Sequence, residues 1–177
     1  GIPTVIDRII QQAIAQQLVP IYEPLFSDDS YGYRPNRSAQ QAIQKVKQYA
    51  EEGYTSAVLV DLSKYFDSVN LRTVEKTLER FSTGSTLDQI IWEYYHNDLV
   101  FDKQNNLIKR YGSLKQGSAF ASFLANVILY PIDEVLSHLD ILYVRYSDDI
   151  LMIGPDAETA ITCLKAMLTP MGLSLNP

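Results

Sequence analysis

The sequence contains little cysteine and little histidine, and both shortages narrow the possible functions. Its single cysteine, Cys163, cannot form an internal disulfide, which favours a reducing compartment. The two histidines, His96 and His138, have no Cys or His partner at the spacing of zinc ligands, so we predict no zinc site. No uninterrupted apolar run reaches the roughly 18 residues of a membrane helix, and we expect no membrane partner.

Basic residues are also in short supply. The 177 residues include 15 Lys and Arg against 21 Asp and Glu, a net charge of −6. This balance counts against a nucleic-acid partner, unless bound metal ions neutralise clustered acids or basic segments lie elsewhere. The length and the 46% hydrophobic content suit one globular domain. Because the chain begins without methionine and ends in a strand-like pattern, we expect a fragment of a longer protein.

Two adjacent aspartates lie between two short apolar runs late in the chain. The runs, 141–144 and 150–153, are β-branched and too short for helices, so they predict a β-hairpin with Asp148 and Asp149 at its tip. Adjacent carboxylates repel each other, and a fold that keeps both usually supplies a cation. Ser147 and the aspartates are also ordinary turn formers, so the pattern alone leaves both interpretations open.

A further aspartate follows an apolar run upstream. Residues 57–60 predict a buried strand that ends at Asp61, and ligands commonly bind where such strands end. Asp61 can therefore lie close to Asp148 and Asp149. Carboxylates are the hard oxygen ligands that suit Mg²⁺, and a pair of such ions is the usual device for in-line phosphoryl transfer.

Arginines and tyrosines interleave in residues 31–38, directly before a predicted helix. Arg34 and Arg37 could hold phosphate at this helix entrance while the tyrosines stack on bases. They could equally pair with local acids such as Asp28 and Asp29. The spacing alone favours neither interpretation.

The rest of the pattern predicts an α+β fold. We expect Pro20 to end the first helix and Pro131 to kink or restart an apolar helix that begins near Phe120. The irregular order of the elements favours an antiparallel sheet packed on helices over a doubly wound parallel sheet. The other predicted elements are helices over 4–18, 39–51 (capped by Ser38 and Gln41), 70–81, 86–96 and 157–171, and a hairpin over 99–111.

These motifs occur together, over essentially the whole chain, in the order and spacing of one family. They are Gly1-Ile2-Pro3-Thr4, Asp7-Arg8, Ser30-Tyr31-Gly32-Tyr33-Arg34-Pro35, Arg37-Ser38, Asp61, Phe66-Asp67, Gln116-Gly117-Ser118, Leu124-Ala125-Asn126, Tyr146-Ser147-Asp148-Asp149 and Gly172-Leu173. The set resembles the reverse transcriptases encoded by bacterial group II introns. The resemblance implies a right-hand polymerase fold, with residues 1–55 as part of helical fingers and 56–177 as the palm. The thumb and the maturase domain would lie outside this chain.

The resemblance also implies a metal site. Asp61, Asp148 and Asp149, with the carbonyl of Leu62, would hold two Mg²⁺ ions, for which Mn²⁺ is a possible substitute. One ion would lower the pKa of a primer 3′-hydroxyl, and the other would hold the triphosphate and steady the leaving pyrophosphate.

Other residues would contact nucleotide and nucleic acid. By resemblance, Phe66 is the steric gate that rejects a ribose 2′-hydroxyl, although an aromatic at this position also fits core packing. Gln116 and Gly117 match the loop that lies against the incoming nucleotide and template. Arg34 and Arg37 match a fingers segment near the nucleic acid.

The chain departs from the family pattern after the predicted nucleotide loop. Lys115 stands where the family usually has proline, and Ala119, Ala121 and Ser122 stand where it has further prolines and a serine. We expect these changes to affect fidelity and template preference more than the chemistry. These changes leave open the alternative that the protein is a domesticated relative of the family that serves in a bacterial defence or CRISPR-linked system. A further alternative is an RNA-binding splicing (maturase) module with incidental polymerase activity.

The expected partners follow from the leading interpretation. They are an RNA template, a DNA primer, dNTPs and intron RNA, in the cytoplasm of a bacterium. The sequence does not determine the oligomeric state, and a dimer is one option.

Overall fold

The computed structural model describes residues 4–69, 71–81, 84, 86, 89, 99–110, 114, 118–139, 141–154 and 157–176. The helices are α1 (Val5–Tyr22), α2 (Ala39–Glu51), α3 (Tyr65–Ser68), α4 (Leu71–Phe81), α5 (Ala119–His138) and α6 (Ala157–Leu168), with 3₁₀ turns at Glu23–Leu25 and Thr169–Met171. The strands are β1 (Ala57–Asp61), β2 (Leu99–Phe101), β3 (Leu107–Arg110), β4 (Leu142–Tyr146) and β5 (Asp149–Ile153). Predictions for residues 1–3, Asn70, Lys115, Gln116 and Gly117, and most of the helix predicted over 86–96, lie outside the described residues.

The central sheet has three antiparallel strands in the order β1-β5-β4. Strands β4 and β5 form the predicted hairpin, with Tyr146 paired to Asp149 at its closed end. Strand β1 pairs with the other side of β5. Strands β2 and β3 form a separate two-stranded ladder, as the pattern over 99–111 predicts. The α+β prediction with an antiparallel sheet is confirmed.

Helix α5 forms the centre of the main hydrophobic core. It contributes fully buried side chains on several faces, which is why its sequence is apolar nearly all round; they include Phe120, Leu124, Ile128, Leu129, Ile132 and Leu136. By length and composition alone, Phe120–His138 could cross a membrane, but 67% of that stretch is buried inside the protein. Such burial is typical of the central helix of a globular core.

A smaller core lies on the opposite face of the sheet, where α2 packs on β4. Tyr31, Ala42, Tyr49, Val144 and Ile153 form this second cluster. Because α2 lies over β4, it leaves the same face of β1 uncovered, and Leu59 is 67% exposed there. The prediction of a buried strand over 57–60 is therefore wrong for one face of β1, which is an edge strand of the sheet.

The two prolines inside predicted helices do not end them. Helix α1 continues past Pro20 to Tyr22, whose ring meets Phe123 of α5 edge-on at 5.3 Å between ring centres. Helix α5 likewise runs through Pro131 without a break. In both helices buried residues on either side of the proline hold the chain on the core, so packing outweighs the lost backbone hydrogen bond. The predicted end of α1 at Pro20 and the predicted restart at Pro131 are wrong.

Other helix ends follow the sequence signals. Thr4 caps α1, and Thr4 and Asp7 bond to each other's backbone amides as a capping box. Ser38 caps α2 by accepting from the amide of Gln41. At the other end of the chain, Gly172 adopts a left-handed φ of 74° after the last 3₁₀ turn, as predicted for a helix terminator.

Candidate active site

The predicted acidic tip is a two-residue turn. Ser147 and Asp148 connect β4 to β5, and Asp149 is the first residue of β5. Ser147 has a positive φ of 61°, the sign required at the first position of the tight turns that match the twist of a hairpin. The tight turn therefore places Asp148 at the apex and Asp149 beside it, at the start of the central strand.

The sheet register brings Asp61 next to this pair. Asp61 of β1 lies directly opposite Asp149 of β5. The Asp61 carbonyl accepts a hydrogen bond from the amide of Asn176, 2.8 Å away, on the outer side of β1. Asp61 and Asp149 are therefore a non-hydrogen-bonded pair, in which opposing Cα atoms lie about 4.5 Å apart and the side chains share one face. The structure brings together carboxylates that are far apart in the sequence.

The three carboxylates influence one another electrostatically. The pKa of Asp149 is raised, first by burial and then by the negative charges of Asp148 and Asp61. Like charges directly opposite each other in a sheet destabilise it. The excess negative charge at this end of the sheet is the condition under which a bound cation stabilises a fold most.

The oxygen ligands of this site are of the chemical type that binds a divalent cation. Their side chains do not converge on one point in the structure. Over the described ranges, no group of three or more His, Cys, Asp or Glu side chains is arranged to hold an ion. The Asp61 carboxylate instead accepts a hydrogen bond from the side-chain amide of Asn176. All the predicted donors are oxygen atoms, which Mg²⁺ and Mn²⁺ prefer, and Asp61 and Asp149 lie on adjacent strands. The shared ion at these residues stays a prediction.

Leu62 continues β1 beyond Asp61 and is 2% exposed. It forms a bridge with Leu175, and the hydrogen bonds of that bridge belong to the residues on either side, Asp61 and Ser63. In an antiparallel ladder the backbone groups of alternate residues point to opposite sides. The carbonyl of Leu62 therefore points towards the hairpin turn, the direction that its predicted role as a metal ligand requires.

Phe66 lies in the single-turn helix α3, beside the end of β1. Its neighbour Tyr65 is 1% exposed and donates a hydrogen bond from its hydroxyl to the carbonyl of Ala125 at 2.8 Å. Phe66 is only partly buried, and its ring meets that of Tyr33 edge-on at 6.3 Å between ring centres. Tyr65 is thus the core aromatic, whereas Phe66 lies at the surface beside the loop that carries Tyr33.

The two arginines of this loop are engaged within the protein. The Arg34 side chain is 4% exposed, pairs with Glu23 at 2.8 Å, and donates to the carbonyls of Ser27 and Ser30. Arg37 pairs with Asp28 and keeps 26% of its side chain exposed. Of the two sequence interpretations, pairing with local acids describes these contacts, although Arg34 selects Glu23 rather than Asp28 or Asp29. A nucleic-acid role for either arginine stays a prediction.

The loop predicted to meet the incoming nucleotide is described only at its borders. Leu114 before it is fully buried, and Ser118 after it caps α5 by accepting from the amide of Ala121 at 3.3 Å. Both borders are therefore anchored to the core. Gln116 and Gly117 lie between them, outside the described residues.

Comparison with known proteins agrees with this geometry. A family model described as "Reverse transcriptase (RNA-dependent DNA polymerase)" matches residues 1–177. The chain belongs to the reverse transcriptase family. It is 30% identical over 149 residues to the group II intron-encoded protein LtrA of Lactococcus lactis subsp. cremoris, covering 84% of this chain and 24% of that protein. It is 33% identical over 143 residues to protein YkfC of Escherichia coli, covering 77% of this chain and 36% of that protein.

The fold of this reverse transcriptase chain also matches solved structures. The structure of apo telomerase from Candida tropicalis, truncated from its C-terminal domain, aligns with a TM-score of 0.65 at 13% identity. The alignment covers 96% of this chain and 39% of that one. The chain thus has the reverse transcriptase fold and spans about a quarter to a third of the curated relatives named above. Members of this family generally use divalent metal ions, which agrees with the oxygen-only donor set.

Sequence reasoning missed three residues that support the site of this reverse transcriptase chain. Asn176 bonds both the backbone and the side chain of Asp61. Arg145 of β4 and Asp133 of α5 form a completely buried ion pair with an N–O distance of 2.6 Å. A charged residue amid the apolar run of β4 was the available signal for Arg145. Asp133 and Asn176 have no local signal, because their partners are distant in the sequence.

Proposed function

We propose that the protein is an RNA-directed DNA polymerase of the group II intron-encoded type, active in the bacterial cytoplasm. Residues 1–55 are part of the fingers and residues 56–177 are the palm. The observation that carries the proposal is the pairing of Asp61 with Asp149, next to Asp148 at the apex of the hairpin. The similarity to an intron-encoded relative supports the intron connection.

The proposed site works mainly by positioning its reactants. Asp61, Asp148, Asp149 and the carbonyl of Leu62 hold two divalent ions, Mg²⁺ or the substitute Mn²⁺. When bound, these ions lower the pKa of the primer 3′-hydroxyl and neutralise charge on the triphosphate. The short turn fixes Asp148 relative to Asp149, and the sheet register fixes both relative to Asp61. The primer 3′-hydroxyl and the α-phosphate of the dNTP, which pairs with the RNA template, are held in line, so that the 3′-oxygen bonds to the α-phosphorus as the bond to pyrophosphate breaks.

Neighbouring residues select and hold the substrates. Phe66 contacts the sugar of the incoming nucleotide and rejects a 2′-hydroxyl by steric clash. Its partly exposed position beside β1 supports this role. Gln116 and Gly117 contact the nucleotide and template. Arg37, whose side chain is 26% exposed, is better placed than Arg34, whose side chain is 4% exposed, to meet the nucleic-acid backbone.

The test is primer extension on an RNA template in the presence of Mg²⁺, comparing the wild-type protein with Asp148→Asn. The substitution keeps the size of the side chain but removes one anionic ligand, so we expect extension to fall by about a hundredfold or more. Glu79→Gln, which removes the same charge from the exposed face of α4, is the matched control and should extend normally. Equal extension by wild type and Asp148→Asn would refute the proposed chemistry.

The similarity to a group II intron-encoded protein also favours a second candidate, an RNA-binding splicing module in which polymerisation is incidental. Such a module should bind intron RNA tightly, with an affinity that falls steeply as salt rises, because phosphate contacts release counterions. The measurement is the slope of affinity against salt for intron RNA and for a scrambled RNA. Binding that is absent or insensitive to salt would exclude this candidate.

A further inference from the structure

The buried ion pair between Arg145 and Asp133 is bidentate, with two hydrogen bonds between the guanidinium and the carboxylate. Arg145 is fully buried and Asp133 is 1% exposed. The Arg145 Nε donates to one carboxylate oxygen of Asp133 at 2.8 Å, and Nη2 donates to the other at 2.6 Å. Burying two charges is unfavourable unless the geometry is this complete. The chain therefore holds the guanidinium plane of Arg145 in one orientation.

The remaining nitrogen of this guanidinium reaches the catalytic turn. Arg145 Nη1 donates to the carbonyl of Ser147 at 2.9 Å and to Oδ1 of Asn126 at 2.9 Å. Ser147 is the residue immediately before Asp148. The direction of the Ser147 carbonyl fixes the peptide plane that joins these two residues. Because Arg145 is held in one orientation, it also fixes the orientation of the Ser147–Asp148 peptide, from which the Asp148 side chain projects.

Asn126 carries the same network to a loop from another part of the chain. Its side-chain amide donates to the carbonyl of Gly32 at 2.8 Å, and Asn126 is 1% exposed. A Cβ placed on Gly32 would lie 2.3 Å from the backbone nitrogen of Ser147. The loop and the turn are therefore in direct backbone contact, with no room for a side chain between them.

The loop also pairs with β4 along its edge. The amide of Tyr31 donates to the carbonyl of Arg145 at 2.8 Å, and the amide of Arg145 donates to the carbonyl of Asp29 at 2.8 Å. Tyr33, which follows Gly32 with a left-handed φ of 56°, places its ring against Phe66. One continuous set of contacts thus joins the turn at Asp148 to the proposed sugar gate.

We propose that Arg145 and Asn126 are positioning residues that fix the loop 29–33 against the catalytic turn. They thereby set the position of Asp148 and, through Tyr33, the position of Phe66. This inference rests on the proposed polymerase function. It makes metal use and sugar selection interdependent, although the residues that couple them touch neither a metal nor a nucleotide.

The deciding variant is Asn126→Asp. It keeps an oxygen that can accept from Arg145 but loses the amide that donates to Gly32, so it removes the side-chain link between Arg145 and the loop while the backbone hydrogen bonds between the loop and β4 remain possible. Arg145→Lys is the second variant, which keeps the charge and loses the planar fork. Tyr143→Phe is the matched control, because it removes another hydrogen bond of β4, the 2.7 Å contact with Ser27, which lies outside the loop 29–33 and near the other end of the strand from the turn.

Four measurements separate positioning from simple support of the fold. For Asn126→Asp we expect kcat with dNTP to fall by roughly tenfold, because small displacements of catalytic groups are costly. We expect the Mg²⁺ concentration for half-maximal rate to rise and the preference for dNTP over rNTP to weaken in the same variant. Without nucleic acid or metal, hydrogen exchange should become faster at the amides of Tyr31 and Arg145, whose hydrogen bonds join the loop to β4. Tyr143→Phe should leave all four unchanged.

The outcomes distinguish this inference from the proposed function. If the wild-type protein extends no primer, the polymerase proposal fails, while the exchange measurement still reports whether loop and turn are coupled. If the wild type is active and a folded Asn126→Asp variant keeps its Mg²⁺ dependence, its sugar preference and its exchange rates, the positioning inference is overturned. Should Arg145→Lys fail to fold, Asn126→Asp decides alone.

Discussion

At the scale of single residues, Phe66 is the side chain whose role is easiest to separate from the fold. Replacing it with alanine should admit ribonucleotides, because the ring that would clash with a 2′-hydroxyl is gone. We expect the preference for dNTP over rNTP to weaken by roughly tenfold or more. The measurement is incorporation of paired dNTP and rNTP substrates on an RNA template.

The control for Phe66→Ala is Tyr54→Ala, which removes another partly exposed ring that packs on Tyr49, away from the carboxylates. Sugar preference should not change in that variant. Unchanged preference in Phe66→Ala itself would remove Phe66 from the proposed role and leave it as a packing partner of Tyr33 and Tyr65.

Ser147 is under strain at the residue scale for two reasons. Its buried hydroxyl has no hydrogen-bond partner among the described residues, and its φ is positive. An unpaired buried hydroxyl costs about 1–3 kcal/mol, so Ser147→Ala should raise the free energy of unfolding by about 1 kcal/mol. Ser147→Gly should also relieve the backbone, at the expense of a more flexible unfolded chain.

Urea denaturation measures both effects. Ser30→Ala is the matched comparison, because the Ser30 hydroxyl is also buried and unpaired in the described structure but its φ is not positive. We expect Ser30→Ala to stabilise the protein about as much as Ser147→Ala. A lower free energy of unfolding for Ser147→Ala would show that the hydroxyl has a partner in solution.

At the scale of helices and strands, much of the fold could be predicted from local patterns. The β-branched runs around the paired aspartates predicted β4 and β5, and Ser38 and Gly172 marked helix ends where the structure has them. The end of α1 could not be predicted, because the effect of Pro20 was outweighed by tertiary contacts of Tyr22. Local sequence patterns do not predict which helix will pack on which face of the sheet.

Strand β1 provides a test of that last point. Leu59→Lys should change the free energy of unfolding by less than about 0.5 kcal/mol, because the side chain is already 67% exposed on an edge strand. Ile150→Ala, at a fully buried position of the central strand, should cost about 2–5 kcal/mol. Chemical denaturation of both variants measures the difference. A large loss for Leu59→Lys would mean that another surface covers this face in solution.

At the scale of the whole molecule, two hydrophobic clusters lie on opposite faces of one sheet. The larger surrounds α5, and the smaller joins α2 to β4. Leu129→Ala in the larger cluster should lower the free energy of unfolding by about 2–5 kcal/mol and speed hydrogen exchange throughout the slowest amides. Tyr49→Ala in the smaller cluster should speed exchange mainly in α2. Uniform changes in both variants would show that the two clusters unfold as one unit.

The candidate site was only half predictable at this scale. Asp61, Asp148 and Asp149 follow from strand-like runs and from the family resemblance, because each acid lies at the end of an apolar segment. The contacts of the hydrogen-bond network behind these acids could not be predicted in the same way. Gly32, Asn126 and Arg145 are bonded or packed across long sequence separations, and no local period or spacing encodes such contacts.

The tight fit at Gly32 has a consequence for interpreting unfamiliar sequences. A methyl group at position 32 would have to displace the peptide that joins Tyr146 to Ser147 at the start of the turn, so larger residues there are incompatible with an aligned hairpin. Gly32 is thus an indicator of whether the carboxylates are correctly placed, although it takes no part in the proposed reaction itself. A homologue with all three acids intact but alanine or serine at this position should therefore lack the proposed polymerase activity.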